Sequence, residues 1–241
     1  MKIIQSFWSK PINSIFNEEL LNKSNGGWIS KKLFYMSWAL SCLQLKKIYP
    51  NVQLELITDT LGKEQLIDKM CLPYDSVSLG LNILSEYHKD LWAIGKITAY
   101  NVQKEAFIHV DGDVFIWGEV LNKCFSSELC AQSIDNSTWY YSECANTVLN
   151  NFESLPHNLI TYLKSQSIYG VNAGILGGQN LRFFKDYSQT ALNLIDKNLH
   201  NLNRVNKNYF NMFYEQFLFL YFQKSRGLEL TTLFQKLSED Y

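Results

Sequence analysis

The stretch Phe107-Ile108-His109-Val110-Asp111-Gly112-Asp113-Val114-Phe115-Ile116-Trp117 is an apolar run interrupted by two carboxylates one residue apart. The apolar flank predicts a buried strand and the Asp-Gly step a turn that ends it, so Asp111 and Asp113 emerge together at a sheet's C-terminal edge. Open α/β sheets take their ligands at that edge. Two hard oxygen ligands held close together suit a divalent cation, Mg²⁺ or Mn²⁺, which in turn clamps the phosphates of a nucleotide.

Upstream, Ile3 and Ile4 predict a short first strand that runs into Gln5, Ser6, Phe7 and Trp8, followed by a loop rich in Asn and Gly. From Ile29 the apolar positions Leu33, Met36, Leu40 and Leu43 step by three or four and predict one buried helical face, with Lys46, Lys47 and Pro50 as stop signals. A second strand is expected over 54–58, ending in Asp59, then a short helix over 61–70, a third short strand within 72–79 and a helix over 90–104. Alternation of strand and helix through residue 117 argues for a mostly parallel sheet with right-handed crossovers. Downstream, a strand is expected over 129–134. Residues 135–166 read as a polar, aromatic insertion with one or two helices, broken by Pro156. A glycine-punctuated strand over 168–178 and helices over 181–197 and 209–224 complete the pattern.

Composition narrows the partners. The chain has 241 residues, 46% hydrophobic and 15% aromatic, enough to bury a large core in one domain. A formal charge of −1 and a pI near 6.4 give no footprint for nucleic acid. The N-terminus has no sustained apolar segment or cleavage site of a signal peptide, and the longest apolar region, 209–222, is interrupted by Glu215 and Gln216. No transmembrane segment and a cytoplasmic location are expected. The five cysteines lack Cys-x-x-Cys spacing and are expected to be reduced, and the four histidines lack zinc-ligand spacing.

Taken in order, these segments resemble the GT-A superfamily of nucleotide-sugar glycosyltransferases, in particular family-8-like and uncharacterised bacterial members. Three motifs carry the resemblance over roughly residues 1–225. Asp111-Gly112-Asp113 stands in the place of that superfamily's Asp-x-Asp. Asn172-Ala173-Gly174 with Gly177-Gly178 resembles the Asn-Ala-Gly strand on the sugar and acceptor side. Glu215-Gln216 resembles the acidic-Gln pair that follows. The resemblance implies a GT-A-type, Rossmann-like mixed sheet flanked by helices in a single α/β domain over 1–241. Residues 1–117 would form its nucleotide-binding half, 118–225 its sugar and acceptor half, and 226–241 a C-terminal region that is either truncated or departs from the pattern.

The resemblance further implies transfer of a sugar from a nucleoside-diphosphate sugar, UDP-linked by preference, to a glycan, lipid-linked or peptide acceptor, with Mn²⁺ or Mg²⁺. Asp113 would bind the metal directly, and Asp111 would share it or bind the ribose. Gln5 and Ser6, by position at the end of the first strand, are candidates for the nucleotide base, and Lys96 for the diphosphate. Asn172, Ala173, Gly174 and Gln216 are candidates for the donor sugar. Glu215, among Met212, Phe213, Phe217 and Leu218, must be paired, protonated or facing a cavity. Facing the acceptor it would serve as general base in an inverting transfer; in a retaining one it would position or stabilise the substrate. The pattern departs from the superfamily in one respect: no His-x-x-Gly-x-x-Lys segment follows residue 225 to supply a third metal ligand, so the chain is either a fragment or holds metal differently.

Other classes fit less well. A haloacid-dehalogenase-type phosphatase also presents Asp-x-Asp after an apolar strand, but it needs a later acidic pair, and after Asp135 only Asp186, Asp196 and Asp240 remain, unpaired. A GT-A-like nucleotidyltransferase would carry a Gly-rich, basic signature where Gln5-Ser6-Phe7-Trp8 stands. A non-catalytic carbohydrate-binding or partner module derived from a transferase would use the abundant Trp and Tyr for stacking on sugars.

Overall fold

The computed structural model describes residues 1–16, 28–165 and 168–234. Seven strands form one sheet: β1 (Lys2–Phe7), β2 (Leu54–Thr58), β3 (Ser76–Ser78), β4 (Phe107–Val110), β5 (Leu129–Asp135), β6 (Gly170–Gly178) and β7 (Leu230–Thr232). Their order is β3-β2-β1-β4-β6-β5-β7. β1 pairs parallel with β2 and β4, and β2 with β3, each crossover carrying helical segments, which gives the parallel half that the alternation predicts. β6 runs antiparallel to both β4 and β5, so the sheet is mixed. The single-domain mixed sheet flanked by helices is therefore as expected.

Successive strand residues face opposite sides, so Ile3 and Ile4 enter different cores. Ile4 and Phe107 pack with Tyr100, Phe184 and Phe219 on one side; Ile3, Ile108 and Val110 pack with Phe34, Trp38 and Leu45 on the other. The antiparallel join of β4 and β6 depends on glycine. A Cβ at Gly177 would lie 2.3 Å from the Phe107 carbonyl oxygen, and Gly178 has φ +137, which other residues rarely adopt.

Several elements differ from their sequence reading. The helix Lys31–Ile48 exists, but it buries Phe34, Ser37, Trp38, Ser41, Cys42 and Leu45, while Ile29, Met36, Leu40 and Leu43 are exposed. The aromatic face prevails because its rings pack on Phe7, and its two serines find buried partners. Residues after Trp8 begin a helix, Ser9–Phe16, where a loop is expected; residues 17–27 lie outside the described ones. The helix expected over 90–104 is only Ile94–Asn101, because the Asn211 side chain holds the residues before it in another conformation. β4 itself ends at Val110, ahead of the Asp-Gly turn, as its sequence predicts. Part of the C-terminal region is a strand, β7, added parallel to β5.

Candidate active site

The site grows from the end of β4. Phe107 and His109 face the helix Ile94–Asn101, whose Tyr100 ring lies 5.6 and 5.3 Å from theirs. Asp111 follows in the same phase, and Lys96 sits one turn before Tyr100 on that helix, so the two side chains meet. Lys96 Nζ is 2.6 Å from Asp111 Oδ2 and 2.6 Å from Glu215 Oε1. One ammonium therefore joins two carboxylates from distant parts of the chain.

The Asp-Gly-Asp turn is held by its backbone. Asp111 N–H donates to the Gly174 carbonyl (2.8 Å) and Val114 N–H to that of Asp111 (3.1 Å). Ser41 Oγ lies 2.8 Å from the Val114 carbonyl and 3.2 Å from that of Asp111, and the Gln5 amide donates to Ser41 and, at 3.3 Å, to the Asp111 carbonyl. Gly112 lies flat on Trp38: a Cβ there would be 2.3 to 2.6 Å from three indole carbons.

Glu215 and Gln216 sit in a π-helical segment, Phe213–Phe217, between the helices Lys207–Met212 and Leu218–Ser225. Such segments loosen the regular hydrogen-bond ladder and recur at functional sites. The Tyr187 hydroxyl serves the carbonyls of this segment, 2.6 Å from that of Glu215 and 3.2 Å from that of Tyr214. Asn211, one turn earlier, accepts from Ala93 N–H (3.0 Å) and donates to the Asp90 carbonyl (2.7 Å), which fixes the approach to the Lys96 helix. Glu215 is fully buried and its Oε2 has no hydrogen-bond partner.

These groups open on a cleft of about 1120 Å³, large enough for a nucleotide-sized ligand. Trp8, Trp28, Trp38 and Trp92, four of the six tryptophans, line it together with Lys96, Asp111, Asp113, Gln132, Asn172 and Gln216. Ser6, Gly174 and Glu215 also reach it. Two sequence-predicted residues do not. Gln5 is fully buried, its amide spent on Ser41, the Asp111 carbonyl and the Tyr74 hydroxyl, so it supports the acidic turn from behind. Ala173 alternates with Asn172 and Gly174 along β6 and points into the core. Sequence reasoning missed Gln132, Ser41, Trp38 and Tyr141, none of which carries a local signal.

Electrostatics follow from burial. Burial pushes the Asp111 carboxyl up; Lys96 pulls it down, while Asp113 and Glu215 push it up again, leaving it at about 7. Burial alone would favour a neutral Lys96 amine, but Asp111 and Glu215 outweigh it and hold the ammonium above the ordinary lysine range. Burial, then the Lys96 charge, keeps His109 neutral, well below the usual imidazole range. Its Nε2 is 2.9 Å from Ser6 Oγ, and its Nδ1 stands 3.6 Å from Asp111 Oδ1.

Among the described residues no group of three or more His, Cys, Asp or Glu could hold a metal ion by itself. The donor set nevertheless fits Mg²⁺ or Mn²⁺: Asp113 is exposed, Asp111 keeps Oδ1 outside its Lys96 bond, and such cations commonly take one or two carboxylates with ligand phosphates and water.

A family model described as a family of unknown function (DUF6734) matches residues 1–241. The chain belongs to DUF6734. No curated protein matches this member of the family. Solved structures similar to it include galactosyltransferase LgtC in complex with donor and acceptor sugar analogs, with 8% identity and a TM-score of 0.43 over 89% of this chain and 70% of that one. Another is mouse xyloside xylosyltransferase 1 in its apo form, with 9% identity and a TM-score of 0.44 over 95% and 84%. Among the described residues, no helix is long and apolar enough to cross a membrane.

Proposed function

We propose that this DUF6734 chain is a metal-dependent glycosyltransferase that moves a sugar from a nucleoside-diphosphate sugar, UDP-linked by preference, to a glycan, lipid-linked or peptide acceptor. The observation that carries the reading is the floor of the cleft: Lys96 bonded to both Asp111 and Glu215 at the carboxyl end of β4, with Asp113 open beside them. Phosphoryl oxygens need cationic groups at that edge, and sugar hydroxyls need the neutral amides that face it.

Asp111 and Asp113 would hold Mn²⁺ or Mg²⁺, which would supply positive charge to the departing diphosphate. Lys96 is fixed by two carboxylates and presents its charge without reorganisation. The nucleotide base lies near Ser6, beside the tryptophans that line the cleft. Asn172 uses its Oδ1 to accept from Gly174 N–H (3.0 Å), which leaves its amide nitrogen to donate to sugar oxygens. Glu215 Oε1 is bound to Lys96, and its unpartnered Oε2 accepts a hydroxyl proton from the acceptor in an inverting transfer or positions the sugar in a retaining one.

The test is a thermal-shift titration of UDP, GDP, CDP and TDP, with and without Mn²⁺, on the native chain and on Asp113→Asn. A ligand that binds only the folded state adds about 2.7 kcal/mol at a hundredfold excess over its dissociation constant. The expected result is a Mn²⁺-dependent shift with one nucleotide, lost in Asp113→Asn. The four tryptophans lining the cleft also favour a second reading, a glycan-binding module without turnover. Binding of oligosaccharide with no shift for any nucleotide would select that reading over the transferase.

A further inference from the structure

Tyr141 belongs to the helix Thr138–Asn151, is fully buried, and stands behind the cleft wall. Its hydroxyl is 2.6 Å from Gln216 Oε1 and 3.3 Å from Asp135 Oδ2. The phenol has one proton for two acceptors. An O–H···O bond is strongest at about 2.7–2.8 Å, so the proton lies toward Gln216 at 2.6 Å and Asp135 at 3.3 Å is the weaker, secondary acceptor. The side-chain oxygen of Gln216 is the atom turned to the phenol, and a hydrogen-exchange measurement tests that orientation directly. Asp135 has a closer partner elsewhere, its Oδ1 accepting from Ser137 N–H at 2.9 Å. Burial, reinforced by the Asp135 charge, raises the phenol far above its ordinary range, so it stays protonated. The close fit is made by Gly170: a Cβ there would come within 2.4 to 2.7 Å of the Tyr141 ring and hydroxyl.

We propose that Tyr141 is a positioning residue: by donating to Oε1 it turns the Gln216 amide so that the side-chain nitrogen faces the cleft and donates to oxygens of the bound sugar. Gln132 Oε1, buried, unpartnered and on the same cleft, is of opposite polarity. An oriented donor and an unfilled acceptor suit hydroxyl groups, which accept and donate, and disfavour a carboxylate, which only accepts. The subsite thus takes an uncharged sugar. The orientation of Gln216 stands by itself; what it recognises rests on the transferase reading.

Two measurements separate these claims. In the ligand-free protein labelled with [side-chain ¹⁵N]glutamine, the Gln216 amide pair is assigned by its loss in Gln216→Ala. Both protons should exchange freely with solvent, whereas a proton protected in the native protein and released in Tyr141→Phe would mean the amide faces Tyr141 and would overturn the proposal whether or not nucleotide binds. With Mn²⁺ present, UDP and UDP-glucose are then titrated into native, Tyr141→Phe, Gln216→Ala and the double variant. Tyr141→Phe should weaken UDP-glucose about five- to tenfold and leave UDP unchanged, with no further loss in the Gln216→Ala background. An equal loss in that background, or an equal loss for UDP, would make Tyr141 merely structural. UDP-glucuronic acid should bind no tighter than UDP; tighter binding would overturn the uncharged-sugar assignment. Absence of UDP binding by the native chain would sink the donor reading and leave the exchange measurement to decide on Tyr141.

Discussion

Lys96 neutralises two carboxylates at once, and its removal should be felt first as instability. Lys96→Met leaves Asp111 and Glu215 facing each other without a cation, an arrangement that typically costs about 3–5 kcal/mol. In the native protein the folded lysine pKa is raised above its unfolded value, so the stabilisation is complete below the ordinary lysine range and fades only as pH rises through the higher folded value. Lys96 itself stays charged between pH 5 and 8, whereas Asp111, held at about 7 beside the ammonium, is pushed higher still in Lys96→Met, so the two proteins differ most where the carboxylates are ionised. Urea unfolding should show a larger gap between the two proteins at pH 8 than at pH 5; an equal gap would rule out this ion pair as its source. Gly112 is constrained as tightly in space as Lys96 is in charge. Gly112→Ala forces the turn off the Trp38 ring and should lower stability by about 1–3 kcal/mol, read from the denaturation midpoint, and weaken Mn²⁺-dependent nucleotide binding.

Among elements, the helix running from Lys207 through the π segment depends on a tyrosine outside it. Tyr187→Phe strips the hydroxyl from the carbonyls of Tyr214 and Glu215 and should cost about 1–3 kcal/mol in denaturant unfolding. A loss confined to that segment would appear as faster amide exchange over 213–217. The β2–β3 connection relies on Asp75, which accepts from Leu54 N–H (2.8 Å) and pairs with Lys46 (2.7 Å). The Leu54 N–H first, then Lys46, lowers its pKa below the usual carboxylate range. A depressed carboxylate stabilises the fold above its unfolded pKa and loses that contribution as pH falls through the folded one. Asp75→Asn should accordingly be less stable than native at pH 7, with the difference closing below about pH 4. The helix Lys31–Ile48 was legible as an element, yet its buried face was not. Ser37 and Ser41 interrupt that face in the sequence, but they make the close contacts that seat Trp38 and the acidic turn, whereas the regular apolar stripe of Met36, Leu40 and Leu43 meets solvent.

Across the whole molecule, two cores share one sheet, so neither can be lost without exposing the back of the other. Trp38 lies in one core and helices packed in the other dominate the far-UV signal, so in a variant that keeps Trp38 as its sole tryptophan, fluorescence and circular dichroism should give coincident unfolding curves; separated midpoints would show independent halves. The sequence alone determined the parallel first half, the strand that delivers Asp111 and Asp113 to the sheet edge, the glycine-marked β6 and the apolar setting of Glu215, because periodicity and turn chemistry act over a few residues. Only the tertiary structure decided that Lys96 pairs with a carboxylate 119 residues away, that Gln5 supports the acidic turn while Gln132 and Tyr141 belong to the cleft and its wall, and which side of the helix Lys31–Ile48 is buried. Those outcomes depend on which strands become neighbours, and strand order is set by packing over the whole sheet.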